Sequence, residues 1–472
     1  MSEVLMQNAF KSYEAIAKQA LENNYVLKGC FFPELGEFYR GKVADNHMKG
    51  NKLYSFRTDR ISAFDYVLKR QQIPFKGAAQ IGMTYHALKK TNVPHAMIDR
   101  PDPNVLVYKE CKPFPVEAIV RGYLTGSFFK NYYSKGKPNP WNLKVPNGLK
   151  EFDAFPEPLF TPTTKEDSGH DLDIPENEII EKGYATKEQL KQVKEYSFQL
   201  FKEGTETAAA QNFILVDTKY EFGIDENGNV VVIDEIHTLD SSRFWYKKDY
   251  DENVAKGKSP YSWSKQVDRD IFSSKGDVES FGCLPRLTLD EIIKTSVIYM
   301  QMHKGITGQD LIYNPAKNQS IEERILENMV SKGYAKGGCA IIMAASKIDQ
   351  PHYSKIADEL TNLNVPCFIS EPLSAHKETQ KVLDKVELYN TSVEPIVYIN
   401  VAGGSNGLGP IISGKIAKDK KSFTNIACPV FADKSTMQMD AWSSLNMPSD
   451  IAMPVILRPR NAALEAKNQL KL

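Results

Sequence analysis

The sequence predicts two fold classes in one chain: an α+β N-terminal part with antiparallel sheets, then a smaller α/β part with a parallel sheet. Three observations predict this. First, Phe213–Gly223 and Val230–His237 are strand-like runs flanking Asp225-Glu226-Asn227-Gly228-Asn229, and Asn-Gly marks a tight antiparallel hairpin. Second, from Cys339 onward short apolar runs alternate with helical patterns, as parallel strands with crossover helices require. Third, composition shifts after Tyr313, and polar residues end in Gly333-Tyr334-Ala335-Lys336-Gly337-Gly338. The expected division is therefore 1–313, a linker 314–338, and 339–472.

The totals exclude several classes. Of 472 residues, 42% are hydrophobic and 25% charged, an ordinary globular composition. Lysine and arginine number 59, as do aspartate and glutamate, so no net charge drives the chain to nucleic acid or an anionic membrane. The six cysteines form no CxxC pair, which argues against zinc ribbons and a disulfide framework and fits a reduced, cytoplasmic setting. Ser2–Asn23 mixes charge with apolar residues and lacks the apolar core of a signal peptide. No stretch approaches the roughly 20 apolar residues that span a bilayer.

Taken in order, Tyr39 to about Arg60 reads as a hairpin around Lys49-Gly50-Asn51. Gly136–Pro175 is a long, proline-rich loop region. Helical spacing covers Lys187–Ala208 and Leu289–His303. In the C-terminal part, Cys339–Ala345, Val365–Ile369 and Pro395–Val401 read as strands, and His352–Leu363 and Glu378–Leu388 as helices. Ligands of such sheets bind beyond the carboxyl ends of the strands. That rule points to Ser346–Asp349, Ser374–Lys377 and Gly403–Gly409.

Four features carry chemistry. If Asn227-Gly228 is a two-residue turn, Glu221 faces Asp234 across the hairpin. Opposed carboxylates repel unless a cation lies between them, and Mg²⁺ takes one or two carboxylates plus phosphates. Lys219, two residues before Glu221, shares its face. The alternative is a solvated acidic face with Lys219 as counter-ion. Gly36–Val43 approaches a phosphate-loop pattern but ends in Val43 and lies in a hairpin, so only Gly41 and Lys42 remain phosphate candidates, against an ordinary surface turn. Glu117, Arg121 and Tyr123 share a strand face leading into Thr125-Gly126-Ser127. There, Arg121 and a helix start offer an anion cradle, or Arg121 simply pairs with Glu117. Asp240-Ser241-Ser242-Arg243 adds a second arginine.

These segments together resemble the SAICAR synthetase family. The resemblance rests on Arg40-Gly41-Lys42-Val43, Thr58–Asp65, Val120–Ser127, Phe160–Lys165, Asp217–Gly223 and Asp240–Trp245, in order over roughly residues 36–312. It implies an α+β ATP-binding fold and the ATP-driven joining of aspartate to CAIR, the carboxylated aminoimidazole ribotide. It implies Gly41, Lys42, Lys219, Glu221 and Asp234 for Mg²⁺ and ATP, with Lys219 and Asp234 catalytic. Arg121, Ser127 and Arg243 would hold the ribotide phosphate, and His170 and Asp171 would lie in a substrate loop. Ala44 replaces a usual Arg or Lys and Leu239 a usual proline. A missing charge-assisted contact costs roughly 1.5–3 kcal/mol, which weakens ATP binding rather than abolishing chemistry.

The C-terminal part resembles the AIR carboxylase family, on Ser374-Ala375-His376-Lys377, Ala402-Gly403, Ser405–Pro410, Ser443-Ser444-Leu445 and Asn461-Ala462-Ala463. The resemblance implies a three-layer, flavodoxin-like fold. It also implies an animal-type enzyme that carboxylates AIR with CO2 directly, without biotin, metal or ATP. His376 would move the ring proton, with Ser346, Asp349, Ser374, Lys377, Ser405 and Asn406 binding the ribotide. The departures are Ala345, Ile348 and Gly404, and a basic insertion at Lys415–Ser422. The expected activity is bifunctional, AIR to CAIR to SAICAR, with small-molecule partners only and a homo-oligomer, by resemblance an octamer. The alternative keeps the synthetase and makes the C-terminal part a ribotide-binding or assembly module.

Overall fold

The structure, a computed structural model, describes residues 3–68, 70–165, 171–416, 424–431, 437–447, 449 and 451–472. The chain divides into two compact units. One comprises residues 1–28, 41–44 and 51–320, the other 29–40, 45–50 and 321–472. No helix among the described residues is long and apolar enough to cross a membrane.

The first unit contains antiparallel sheets, as its hairpin-rich sequence implies. β1 (Lys52–Arg57), preceding α1 (Lys76–Lys90), pairs with β3 (Val105–Lys109), and β3 pairs with β2 (Met97–Asp102). The larger sheet centres on β4 (Lys112–Tyr123). Both β5 (Ala154–Phe160) and β6 (Thr163–Thr164) pair with β4. After α2 (Lys187–Ala209) comes β7 (Phe213–Ile224), which pairs with β4, β8 (Val230–Ile233) and β9 (Ser242–Tyr246).

Period-two alternation decides the faces. Phe114, Val116, Ala118 and Val120 of β4, with Tyr220 and Phe222 of β7, enter the core with Leu190, Val193, Leu200 and Phe201 of α2. Each Val, Leu or Phe among them contributes about 1.5–3 kcal/mol on burial. The odd-numbered Glu117, Arg121, Lys219 and Glu221 are thereby committed to the other face. A reciprocal capping box between Thr186 and Gln189 starts α2, and Thr288 with Glu291 starts α3 (Leu289–Thr307) in the same way. α3 runs four residues beyond its expected end at His303. Gly305 does not stop it, because the glycine fits against the Phe213 ring, and Gly308 at φ +73° ends it.

The second unit begins its C-terminal run with α4 (Ile321–Ser331), which lies inside the expected linker and buries Ile321, Ile325 and Met329. Its sheet is wholly parallel, in the order β11-β10-β12-β13: Cys367–Ile369, Cys339–Ala344, Ile396–Val401 and Thr424–Ala427. This is the flavodoxin-like order for the strands present. Helices α5 (Gln350–Asn362), α6 (Thr379–Tyr389), α7 (Leu408–Ile416), α8 (Met437–Leu445) and α9 (Pro459–Leu470) accompany it. Strand β10 is buried on both sides. Ala340, Ile342 and Ala344 pack with α5 and α9, while Cys339, Ile341 and Met343 pack with α6 and α7. That explains why it reads as a continuous apolar run.

The hairpin Glu37–Arg40 with Ala44–Lys49 belongs to this second unit apart from its turn and Ala44. The Asp45 carboxylate accepts from Cys30 N at 2.8 Å and His47 Nε2 accepts from Phe32 N at 2.9 Å. Phe31 stacks on Tyr389 with centroids 5.3 Å apart.

Candidate active sites

The hairpin that suggested a cation site has a different register from the one expected. Glu221 pairs with Ile233 and Ile224 with Val230, so cross-strand numbers sum one lower than a two-residue turn demands. The turn is a three-residue loop. Gly228 N donates to Asp225 O, Asp225 N to Asn229 O, and Gly228 sits at φ +82°. Asp225 supplies the reason, because its carboxylate accepts from Asn227 N and Asn229 N, both at 2.9 Å, and rigidifies the wider loop. The carboxylate directly opposite Glu221 is Glu117 of β4.

Asp234 nevertheless reaches the group. It follows β8 in a left-handed conformation, φ +58°, which turns the chain back. Burial raises the Glu221 carboxyl above its usual range, and the Asp234 charge raises it further. Burial also acts upward on Asp234, but Arg57, Lys165 and Lys219 outweigh it and hold that carboxyl below the usual range. Lys165 pairs with Glu221 and Lys219 with Glu117. Arg57 pairs with Asp234 and, at 3.3 Å, with Glu235. Four carboxylates thus face three cationic side chains. The surplus negative charge, on hard oxygen donors, fits a divalent cation. No group of three or more His, Cys, Asp or Glu poised for a metal exists among the described residues.

Sequence reasoning did not single out Lys165, Arg57 and Glu235, which the structure brings into this cluster. Lys165 ended the Phe160–Lys165 motif and Glu235 followed Asp234, so proximity to recognised segments was their only signal.

A second cluster lies further along β4 and β7. Arg121 is opposite Asp217, and Arg243 of β9 is paired with the same Asp217. The guanidinium-to-carboxylate distances are 3.8 and 3.6 Å. Arg121 also donates to Thr161 Oγ1 at 2.9 Å and Ser127 Oγ at 3.3 Å, and Arg243 to Thr125 Oγ1 at 3.4 Å. Arg121 does not pair with Glu117: the two are four residues apart on β4, where Arg121 lies opposite Asp217 while Glu117 lies opposite Glu221 and pairs with Lys219. Burial lowers the Arg121 pKa, and the Arg243 charge lowers it further against the pull of Asp217. Two arginines sharing one carboxylate leave positive charge for an anion, and Ser127 completes the cradle.

Gly41 and Lys42 form a tight turn. Gly41 N donates to Ala44 O, and the Arg60 guanidinium binds the carbonyls of Gly41, Lys42 and Ala44. Lys42 is exposed and pairs with Asp65 at 2.6 Å. Ala44 contributes its carbonyl to this turn. Asp171 is exposed at the start of its segment, and His170 lies outside the described residues.

In the second unit the predicted residues fall into two groups beyond the strand ends. Ser346 and Asp349 line an open cleft of about 680 Å³ with His352, Lys355, Gly403, Gly404 and Asp440. Ser346 Oγ accepts from Ile348 N at 3.2 Å, and Ile348 is 87% exposed. Burial raises the Asp349 carboxyl. His352 lies 3.4 Å from Cys428 Sγ, and burial pushes that thiol up to about 12. The other group is His376, Ser405 and the Gly407 loop, with Ser405 Oγ 3.5 Å from His376 Nε2. Ser374 and Lys377 form the turn before α6, where Lys377 N donates to Ser374 O. Asn406 is buried rather than presented to the cleft. The basic insertion from residue 417 to Ser422 lies outside the described residues.

Fold and sites define a phosphate-handling α+β enzyme domain joined to a parallel-sheet α/β domain. A family model of SAICAR synthetase matches residues 37–280, and one of AIR carboxylase matches residues 339–472. Phosphoribosylaminoimidazole-succinocarboxamide synthase of Bacteroides thetaiotaomicron is 41% identical over 305 residues, 64% of this chain and 96% of that protein. The Legionella pneumophila enzyme of the same name is 38% identical over 301 residues, 62% of this chain and 95% of that one. A solved structure, SAICAR synthase from Saccharomyces cerevisiae complexed with SAICAR, superposes with a TM-score of 0.53 at 30% identity, covering 61% of this chain and all of that one. The chain belongs to the SAICAR synthetase family, and it carries an AIR carboxylase domain as a fusion. It is thus a bifunctional enzyme of purine biosynthesis, a ligase joined to a carboxylase.

Proposed function

We propose that residues 1–313 join CAIR and aspartate at the expense of ATP, giving SAICAR, ADP and phosphate, and that residues 339–472 make the CAIR from AIR and CO2, with 314–338 between them. The single observation that supports the ligase reading best is the pairing of an acidic cluster with a separate arginine cradle on one strand pair. Glu221 and Asp234 would hold Mg²⁺, which when bound offsets phosphate charge. Lys219 and Lys165 lie beside the same carboxylates and would neutralise charge developing on the transferring phosphoryl group. Gly41 and Lys42 would contact the nucleotide. Arg121, Arg243 and Ser127 would fix the ribotide phosphate, and His170 and Asp171 the rest of that substrate. The γ-phosphoryl group passes to the CAIR carboxylate, and the aspartate amine then displaces phosphate.

In the carboxylase, Ser346 and Asp349 in the cleft would bind the ribotide with Ser374, Lys377 and Ser405, and His376 would take the proton that the ring carbon loses after carboxylation. Met439, Trp442 and Leu445 of α8 are exposed while Asp440 and Ser444 of the same helix are buried in their own unit. That apolar stripe supports assembly with further copies of this chain; the octameric state and the cytoplasmic setting rest on resemblance and cysteine usage alone.

The test is a coupled assay on the purified chain with AIR, bicarbonate, Mg-ATP and aspartate. SAICAR should form, and CAIR should accumulate when aspartate is omitted. Ligation from supplied CAIR without any carboxylation would reduce the second unit to a binding or assembly module. No product from either substrate would sink the whole reading.

A further inference from the structure

Asn406 sits in the loop that meets His376, yet its side chain is 95% removed from solvent (5% exposed) and every polar atom of it is used internally. Its Nδ2 donates to Asn400 Oδ1 at 3.3 Å and to Ser444 Oγ at 3.0 Å. Its Oδ1 accepts from Gly409 N at 2.9 Å, at the start of α7. Asn400, on β12, donates in turn to Asn425 Oδ1 at 2.8 Å and Ile426 O at 3.0 Å. Asn425, on β13, donates to Gly409 O at 3.0 Å and Ser413 Oγ at 2.9 Å. Three buried amides therefore tie two strands, the start of α7 and α8 into one connected network. Such networks are costly when partly satisfied and rigid when complete.

The same loop is held at two further points by α8. Asn406 N donates to Ser443 Oγ at 2.6 Å, and Gly404 N donates to the buried Asp440 carboxylate at 2.7 Å. What this loop carries is contact with His376. Ser405 Oγ approaches Nε2, and Gly407 leaves the space that the imidazole occupies.

We infer that Asn400, Asn406 and Asn425 are positioning residues of the carboxylase, which fix the Gly404–Gly407 loop against His376 so that its imidazole meets the ring carbon, and that Asn406 makes no contact with the ribotide. The inference rests on the carboxylase reading of this unit. A misplacement of about 1 Å in a catalytic group costs roughly a hundredfold in rate, so the signature is a loss of turnover with substrate binding kept.

The experiment measures kcat and KM for AIR in the full chain and in two near-isosteric variants, Asn406→Asp and Asn400→Asp. Each replaces an amide donor by an acceptor in the network. Asn400 is wholly buried and lies behind the loop, so it tests transmission rather than contact. Both variants should lose tenfold to a hundredfold in kcat, with KM for AIR within about twofold of wild type, and the retained KM reports that the site is folded. A tenfold rise in KM at unchanged kcat for Asn406→Asp would make it a ribotide ligand and overturn the inference. Unchanged kcat in both variants would overturn it equally. To guard against variants that do not fold, Ser443→Ala removes one loop tether at the edge and should give a smaller kcat loss of the same kind; an unchanged kcat there also counts against the inference. Wild-type chain that fails to carboxylate AIR would instead bring down the carboxylase reading itself.

Discussion

A Cβ on Gly407 would lie 2.8 Å from Cε1 and 3.0 Å from Nε2 of His376, so the exposed imidazole would have to shift to admit it. The imidazole therefore occupies its place only because residue 407 has no side chain.

Gly407→Ala should push His376 off its position and reduce carboxylase kcat about tenfold or more. Steady-state assays with AIR and bicarbonate check this. Ligation from supplied CAIR by the same preparation should persist, since Arg121, Lys219 and Glu221 belong to the other unit.

Arg243 and Arg121 share Asp217, so either arginine alone leaves the cradle nearly neutral. Arg243→Ala should raise KM for CAIR tenfold to a hundredfold, the equivalent of roughly 1.5–3 kcal/mol for a charge-assisted contact. Arg243→Lys should restore only part of it, because an ammonium lacks the planar fork. Ligase kinetics at varied CAIR measure both, and an unchanged KM in the alanine variant would remove Arg243 from the phosphate site.

Chelating divalent metal should stop ligation and leave carboxylation intact, and added Mg²⁺ should restore the first. Glu221→Gln should lower ligase kcat roughly a hundredfold or more. A chelator titration followed on both half-reactions separates the units in one sample.

Asp268 is buried beside Asp240, and burial together with that neighbour pushes its carboxyl up to about 7. A carboxyl whose folded pKa lies above its unfolded value of 3.8 contributes its full stability below 3.8 and loses it as pH rises through 7. Asp268→Asn should therefore gain on wild type as pH rises, by roughly 3 kcal/mol between pH 5 and 8. His237 acts in the opposite direction. Burial lowers its pKa from 6.5 to about 4, so its stability is present above 6.5 and lost as pH falls through 4. Denaturant melts of wild type, Asp268→Asn and His237→Gln across that range would reveal both slopes.

Trp442, Met439 and Leu445 lie exposed on α8. Trp442→Glu should shift the chain to a smaller assembly in mass photometry, while wild type and variant of equal mass would argue against that face as the contact.

Many of the candidate residues that the structure brings together were legible because chemistry concentrates in short segments. The order of strands and helices after Cys339 followed from apolar runs alternating with amphipathic ones, and the ends of those strands held Ser346, Asp349, His376 and Ser405. Lys219 and Glu221 were found by their spacing of two on a half-buried strand. Helix ends were harder. Helical spacing alone ends at His303, whereas the helix runs on to Thr307 with Gly305 against the Phe213 ring.

Residue types, motif order and strand periodicity were determined by the sequence itself, because side-chain alternation is a local property of the backbone. The tertiary structure alone decided which charges meet. Asn227-Gly228 is compatible with two turn lengths, and the Asp225 side chain selected the longer one, moving every cross-strand partner by one residue. Only the pairing of β7 with β4, set by burial of Tyr220 and Phe222, placed Glu117 opposite Glu221. Only the left-handed turn at Asp234 returned that carboxylate to Glu221. Likewise Asn406 read as a ligand from its motif, while the packing of α7 and α8 on the parallel sheet turned its amide inward.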